Sequence, residues 1–269
     1  MRVATLLALA AAFAACVPSS TEPPALDPAT PEAGGAPSPT ASGWTVRTDS
    51  LVESDSALQY VARISYPQVE AVGDPLPTPV EAANAAVVDS VRALAASFRP
   101  EAAPPGVAVT PYPVEVTGQV GEVHVTDGLL SALVSIYAYT GGAHGNTFFL
   151  PLNFDLTTGR PVRLGDLFRE GTAYGDTLAA YVEREVTRQL AAQIDEPVAD
   201  ARRMIYTEGL DDFREGRFAF TLGPDALHVH VPPYQLASYA AGTFDVAVPY
   251  AALRPFAAPG TPLPRLGAE

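Results

Sequence analysis

The sequence has no lysine, a single cysteine and no long apolar run after its N-terminal stretch. All sixteen basic residues are arginine, set against thirty acidic ones, for a formal charge of −14. A chain this acidic, without basic patches, lacks the electrostatic footprint of a nucleic-acid binder or of a protein that docks on anionic headgroups. It suits a cationic protein partner or, more simply, a high-GC organism living in salt. With Cys16 its only thiol, the chain forms no internal disulfide. No segment approaches the roughly 20 apolar residues that a membrane-spanning helix needs. Also missing are internal repeats, a glycine-rich nucleotide loop, a Gly-x-Ser-x-Gly elbow and a catalytic cysteine.

The first residues, "MRVATLLALAAAFAA", carry one basic residue, an apolar run and small residues directly before Cys16, the pattern of a secretory signal over 1–15. The ending "FAAC" resembles the lipobox of bacterial lipoproteins, with Phe13 standing where leucine is usual. That the only cysteine sits at the lipidation position supports this reading over plain secretion with cleavage near Ala15. Residues 16–43 are dense in Pro, Ser, Thr, Ala and Gly and lack aromatics, so they cannot offset their ordering entropy and read as a disordered tether. The expected setting is an exported protein, lipid-anchored in the bacterial cell envelope at a periplasmic or outer-membrane face. Its membrane contact is the N-terminal lipid.

From Trp44 onward the composition can hold a substantial core. Leu58, Tyr60, Ala62, Ile64 and Tyr66 alternate along a strand pair, and Val80, Val87, Val91, Leu94 and Phe98 recur at helical spacing just after Pro79. Two alternating runs follow from Tyr112, then "NTFFLPLNFDL" and the turn "TTG", as in an antiparallel meander. A helix is expected over 173–194, where Leu178, Val182, Val186 and Leu190 repeat every fourth residue, and a shorter one over 198–206. "RFAFTL", "GPD" and "ALHVHV" form a hairpin, and "TFDVAVPY" one more strand. The fold class is α+β: antiparallel sheets with helices packed on one side. The expected units are a β-β-α unit over 44–110, a second domain over 111–256 and a flexible tail over 257–269.

The motifs "YTGGAHG", "FDLTTGR" with "LGDLF", and "PYQLASYAAG" together resemble the extracytoplasmic domain shared by the anti-sigma factor RsiV and the peptidoglycan deacetylase PdaC. This is a domain of unknown function, DUF3298, often preceded by a PdaC-type companion, DUF4163. The likeness spans about Tyr112 to Phe256, and the β-β-α unit resembles the companion. It implies a non-catalytic recognition module for peptidoglycan glycan or a lysozyme-like protein. Neither the anti-sigma segment nor the deacetylase domain of those relatives is expected here, so the resemblance implies the recognition module alone.

Gly141 and Gly142 allow backbone angles closed to other residues. His144 beside them reads as a structural donor, as a ligand contact or, given an orienting carboxylate, as a general base. Tyr139, Thr140, Gly141, Gly142, His144, Tyr234 and Tyr239 are the candidate ligand-binding residues; Asp155, Gly159 and Asp166 are structural motif residues. Tyr234, Tyr239 and Tyr250 suit a strand corner, and equally a sugar or protein surface. His228 and His230 lie two apart on a strand and share a face, so with His144 they offer an alternative open metal site for a hydrolase acting on envelope glycan. The same pattern fits an alternating strand with one solvated face. His124 is expected to be exposed, and Glu183, Arg184, Glu185 and Arg188 to form a solvated helix face. No complete catalytic set and no cofactor motif is present. A structural lipoprotein with a protein partner is the remaining alternative.

Overall fold

A computed structural model of the chain describes residues 43–71, 75–101, 112–263 and 266. The signal peptide, Cys16 and the tether up to 42 lie outside the described residues. Residues 44–71 form a long antiparallel ribbon of β1 (Trp44–Asp55) and β2 (Tyr60–Ala71). Its turn is fixed by Asp55, whose Oδ1 accepts from the amides of Ala57 and Leu58 at 3.0 and 3.2 Å. Tyr60, Ala62, Ile64 and Tyr66 are all buried, as their alternation predicts. They meet α1 (Thr78–Phe98), which buries Val80, Ala83, Val87, Val91 and Ala95 in one stripe.

The chain then returns as β3 (Val114–Thr126), which pairs with β2 in parallel over Tyr60–Ile64. Here the structure departs from the expected antiparallel arrangement. A helix between two strands carries the chain back to the starting end, so the next strand runs the same way. Gly118 of β3 lies between Ile64 and Ile136, where a Cβ would fall 2.6 Å and 2.7 Å from their side chains. β4 (Leu129–Tyr139), β5 (Asn146–Asp155) and the short β6 (Arg160–Pro161) complete one six-stranded mixed sheet in chain order. It therefore runs across position 110, between the two expected units.

A second core is built by α2 (Tyr174–Ile194), α3 (Val198–Arg202), α4 (Leu210–Arg214) and an antiparallel sheet of β7 (Ala219–Leu222), β8 (Ala226–Val231) and β9 (Phe244–Pro249). Leu178, Val182, Val186 and Leu190 of α2 face Leu222, Leu227, Val229, Val231, Val246 and Val248 in this cluster. The helix expected over 198–206 stops at Arg202. The observed order is that of an α+β fold, with α5 (Tyr250–Leu253) closing it.

The sheets meet along a buried polar seam. Ser131 Oγ donates to Asn153 Oδ1 at 2.6 Å and accepts the Leu222 amide at 2.7 Å, while Asn153 Nδ2 donates to the Phe220 carbonyl at 2.9 Å. Each group is thus satisfied where burial would otherwise penalise it. The segment after Phe256, expected to be a flexible tail, is docked in its described part. Ala257 bridges Phe168, the Ala258 amide donates to Leu167 at 2.9 Å, and Leu263 is fully buried in the second core. Its apolar residues find a site on the helical layer that nothing local in a terminal Pro-rich stretch announces.

Candidate functional site

The "TGGAH" corner links β4 to β5. Gly141 and Gly142 adopt φ of 101° and 100°, a region that favours glycine, and a Cβ on Gly141 would lie 3.2 Å from the Tyr112 ring. Tyr139 Oη donates to the Gly142 carbonyl at 3.0 Å, and the Gly145 amide donates to Tyr137 Oη at 3.0 Å. A carbonyl only accepts, so His144 Nδ1 carries the proton it shares with the Gly145 oxygen at 2.8 Å, leaving Nε2 as the acceptor of the neutral ring. The corner is therefore braced by the family-motif residues themselves. Thr140 and His144 stand exposed on it.

The loop between β8 and β9, "PPYQLASYAAG", reaches this corner. The Tyr239 ring stacks on His144 with centroids 3.8 Å apart and planes 20° apart, and Tyr234 lies 5.6 Å from Tyr239. Tyr234 holds a φ of 71°, uncommon for a residue with a side chain, and is 51% exposed. Tyr112 and Tyr137 are also exposed on or beside the corner, at 50% and 45%. Two motifs about ninety residues apart thus build one aromatic face, each ring offering an apolar body with a polar edge. Tyr250 separates from this group: it is buried, its hydroxyl donates to the Gly223 carbonyl at 2.7 Å, and burial with the nearby Asp225 charge pushes its pKa well up.

The three structural motif residues lie elsewhere. Asp155 Oδ1 accepts from the Thr157 and Thr158 amides at 2.7 and 3.1 Å, closing the "TTG" turn as an Asx turn does. Gly159, at φ 74°, ends that turn against α1. Asp166 Oδ2 accepts from the Arg163 amide at 3.3 Å in the 3₁₀ turn Leu164–Leu167. Neither carboxylate has a hydrogen bond to His144.

A second cluster lies on the polar face of the smaller sheet. Asp245 of β9 takes His228 Nδ1 on Oδ1 and His230 Nδ1 on Oδ2, both at 2.9 Å, and His230 Nε2 meets Thr221 Oγ1 at 2.8 Å. Burial pushes the Asp245 carboxyl up, but the two imidazole hydrogen bonds and the charges of those rings together hold it well below the usual range. The bond to Asp245 raises His228, against the effect of burial, with help from the charges of Asp245 and Glu122. His144 belongs to the aromatic face, where it stacks on Tyr239. Among the described residues, no group of three or more His, Cys, Asp or Glu is disposed to hold a metal ion. Asp245 and Thr221 join this cluster without belonging to any motif of the sequence. The available signal was that Asp245 is the only charged residue in an otherwise apolar strand.

Two further expectations change or hold. His124, expected to be exposed, is half-buried; its Nε2 has no hydrogen-bond partner and burial lowers its pKa. Glu185 pairs with Arg188 and Glu183 with Arg202 at the surface of α2, and Arg184 lies over the Tyr181 ring.

Residues 165–251 match a family described as "Protein of unknown function (DUF3298)". The chain is 28% identical over 127 residues to Esterase Rv3036c of Mycobacterium tuberculosis, covering 47% of this chain and 52% of that protein. It is 27% identical over 128 residues to the peptidoglycan-N-acetylmuramic acid deacetylase PdaC of Bacillus subtilis, covering 47% of this chain and 26% of the relative. The match thus spans about half of the first curated relative and a quarter of the second. A crystal structure of a DUF3298 family member from Bacteroides fragilis aligns with TM-score 0.53 at 19% identity, over 86% of this chain and 99% of its own. One from Pseudomonas aeruginosa gives 0.46 at 19%, over 80% and 95%. Residues 165–251 thus resemble the DUF3298 family, part of the chain is similar to PdaC, and the chain shares the fold of the first of these structures. Among the described residues no helix is long and apolar enough to cross a membrane.

Proposed function

We propose that this is a cell-envelope protein, held at a membrane by lipid on Cys16, whose folded part binds peptidoglycan glycan at the aromatic corner. One observation carries the reading: His144 from "TGGAH" and Tyr239 from "PYQLASYAAG" stack, with Tyr234 exposed beside them. Sugar rings present flat apolar faces edged by hydroxyls, and the flat faces and polar edges of tyrosine and histidine match that shape. A relative named for its action on peptidoglycan supports the choice of glycan.

Co-sedimentation of the purified protein with peptidoglycan, at low and high salt, tests this. Saturable binding at both salt concentrations that is lost in His144→Ala and Tyr239→Ala is the expected result. Absence of binding at either salt overturns it and turns attention to a lysozyme-like protein. Such a basic partner would be steered by the −14 charge, so its binding would weaken with salt.

A second reading, ester hydrolysis, is favoured by the hydrogen-bonded chain Thr221–His230–Asp245 and accords with the name of the mycobacterial relative.

A further inference from the structure

We propose that Thr221 is a nucleophile for short-chain carboxylic esters, with His230 as its general base, Asp245 as the group that orients His230, and His228 as the oxyanion donor. This inference rests on the second, hydrolytic reading and assigns its machinery.

A carboxylate can only accept hydrogen bonds. Because Asp245 accepts from Nδ1 of both rings at 2.9 Å, both Nδ1 atoms carry protons. In neutral His230 the lone pair then sits on Nε2, 2.8 Å from Thr221 Oγ1. A hydroxyl, a base that can take its proton, and a carboxylate fixing the tautomer of that base is the arrangement that activates a hydroxyl nucleophile.

Three features separate this from an inert polar network. The first is access. Asp245 is 51% exposed at its side chain and His228 23%, so the cluster opens to solvent, with Thr221 and His230 at its floor at 6% and 7% residue exposure. The second is register. Thr221 and His228 are direct partners across β7 and β8, which puts their side chains on one face, roughly 5 Å apart at Cβ. The third is a free donor position. His228 Nε2 has no hydrogen-bond partner among the described residues, and Gly223 leaves room beside it, since a Cβ there would lie 3.1 Å from that atom. The bond to Asp245 favours the doubly protonated ring, which would present an Nε2–H to developing negative charge. The Phe149 ring, 5.7 Å from His230, supplies an apolar wall, and a site this shallow suits small acyl groups.

In the acylation step Thr221 Oγ1 forms a bond to the ester carbonyl carbon and its proton passes to His230 Nε2. The carbonyl oxygen becomes the oxyanion facing His228. Collapse breaks the bond to the alcohol, which leaves with the proton from His230. Water, deprotonated by His230, then attacks the acyl-threonine. The carboxylic acid is released and Thr221 regains its proton, with no change of oxidation state.

The test uses the full chain, p-nitrophenyl acetate and a fluorophosphonate probe, with the adduct located by peptide mass mapping. The expected results are a phosphonyl adduct on Thr221 and turnover that falls about 100-fold or more in Thr221→Val and His230→Gln and is retained in Thr221→Ser. Mapping on the unmodified chain decides the question even if Thr221→Val fails to fold. Turnover with the adduct elsewhere, or unchanged in a folded Thr221→Val, overturns the assignment of Thr221 while leaving hydrolysis standing. No turnover and no labelling overturns the assignment together with the hydrolytic reading.

Discussion

Replacing Asn84 with alanine removes a connection between α1 and β2 whose cost follows from the sheet's topology. On the side facing β3, β2 is paired only from Tyr60 to Ile64, so the backbone groups of Val69 find no strand partner there. Asn84 supplies both: its Oδ1 accepts the Val69 amide at 2.9 Å and its Nδ2 donates to the Val69 carbonyl at 2.8 Å. Val69 is fully buried and Asn84 only 9% exposed, so water does not readily take over. An unsatisfied buried donor or acceptor costs about 1–3 kcal/mol, and two such groups put Asn84→Ala at about 3 kcal/mol. For a domain of this size that is a fall in Tm of roughly 6–12 °C. Urea unfolding followed by circular dichroism reads it directly as a lower midpoint at unchanged slope. A loss below about 0.5 kcal/mol would mean that Val69 has another partner and that Asn84 does not hold β2 to α1.

Gly159→Ala should cost at least about 2 kcal/mol: the position has φ 74°, and a Cβ would fall 2.6 Å from the Pro79 carbonyl and 2.9 Å from Ala82 Cβ. Thermal unfolding within a degree of the parent would show that the turn yields freely. Leu263→Ala should destabilise by about 2–3 kcal/mol as a core truncation, a change in urea midpoint that a loose tail would not produce. The pKa of His228 is raised above 6.5, so its contribution to stability is full below that pH and is lost as pH rises through the folded value. Tm measured from pH 6 to 9 should thus fall more steeply in the parent than in His228→Gln, and parallel curves would sink this.

Where local pattern determines structure, the sequence was readable. The stripe of α2 and the "GPD" hairpin emerged as expected because each is set by neighbours within a few residues. The parallel pairing of β2 with β3 was not, because it joins strands fifty residues apart and depends on where α1 lays the chain down. The same limit applies to the sites. "TGGAH" and "PYQLASYAAG" could each be singled out, but only the folded chain stacks His144 on Tyr239. Asp245 and Thr221 acquire meaning from register alone: Asp245 pairs with His230, and Thr221 with His228. Leu263 looked like part of a tail because its partners lie on distant elements.

Recognition of glycan at the aromatic corner can be followed by NMR titration of the protein with soluble peptidoglycan fragments, reading the tyrosine and histidine rings. Saturable shifts confined to Tyr234, Tyr239, His144 and their neighbours are expected, with affinity about tenfold weaker in Tyr234→Ala, a loss of about 1.4 kcal/mol. Saturable shifts that leave those three rings unmoved, or no shifts at all, would contradict it.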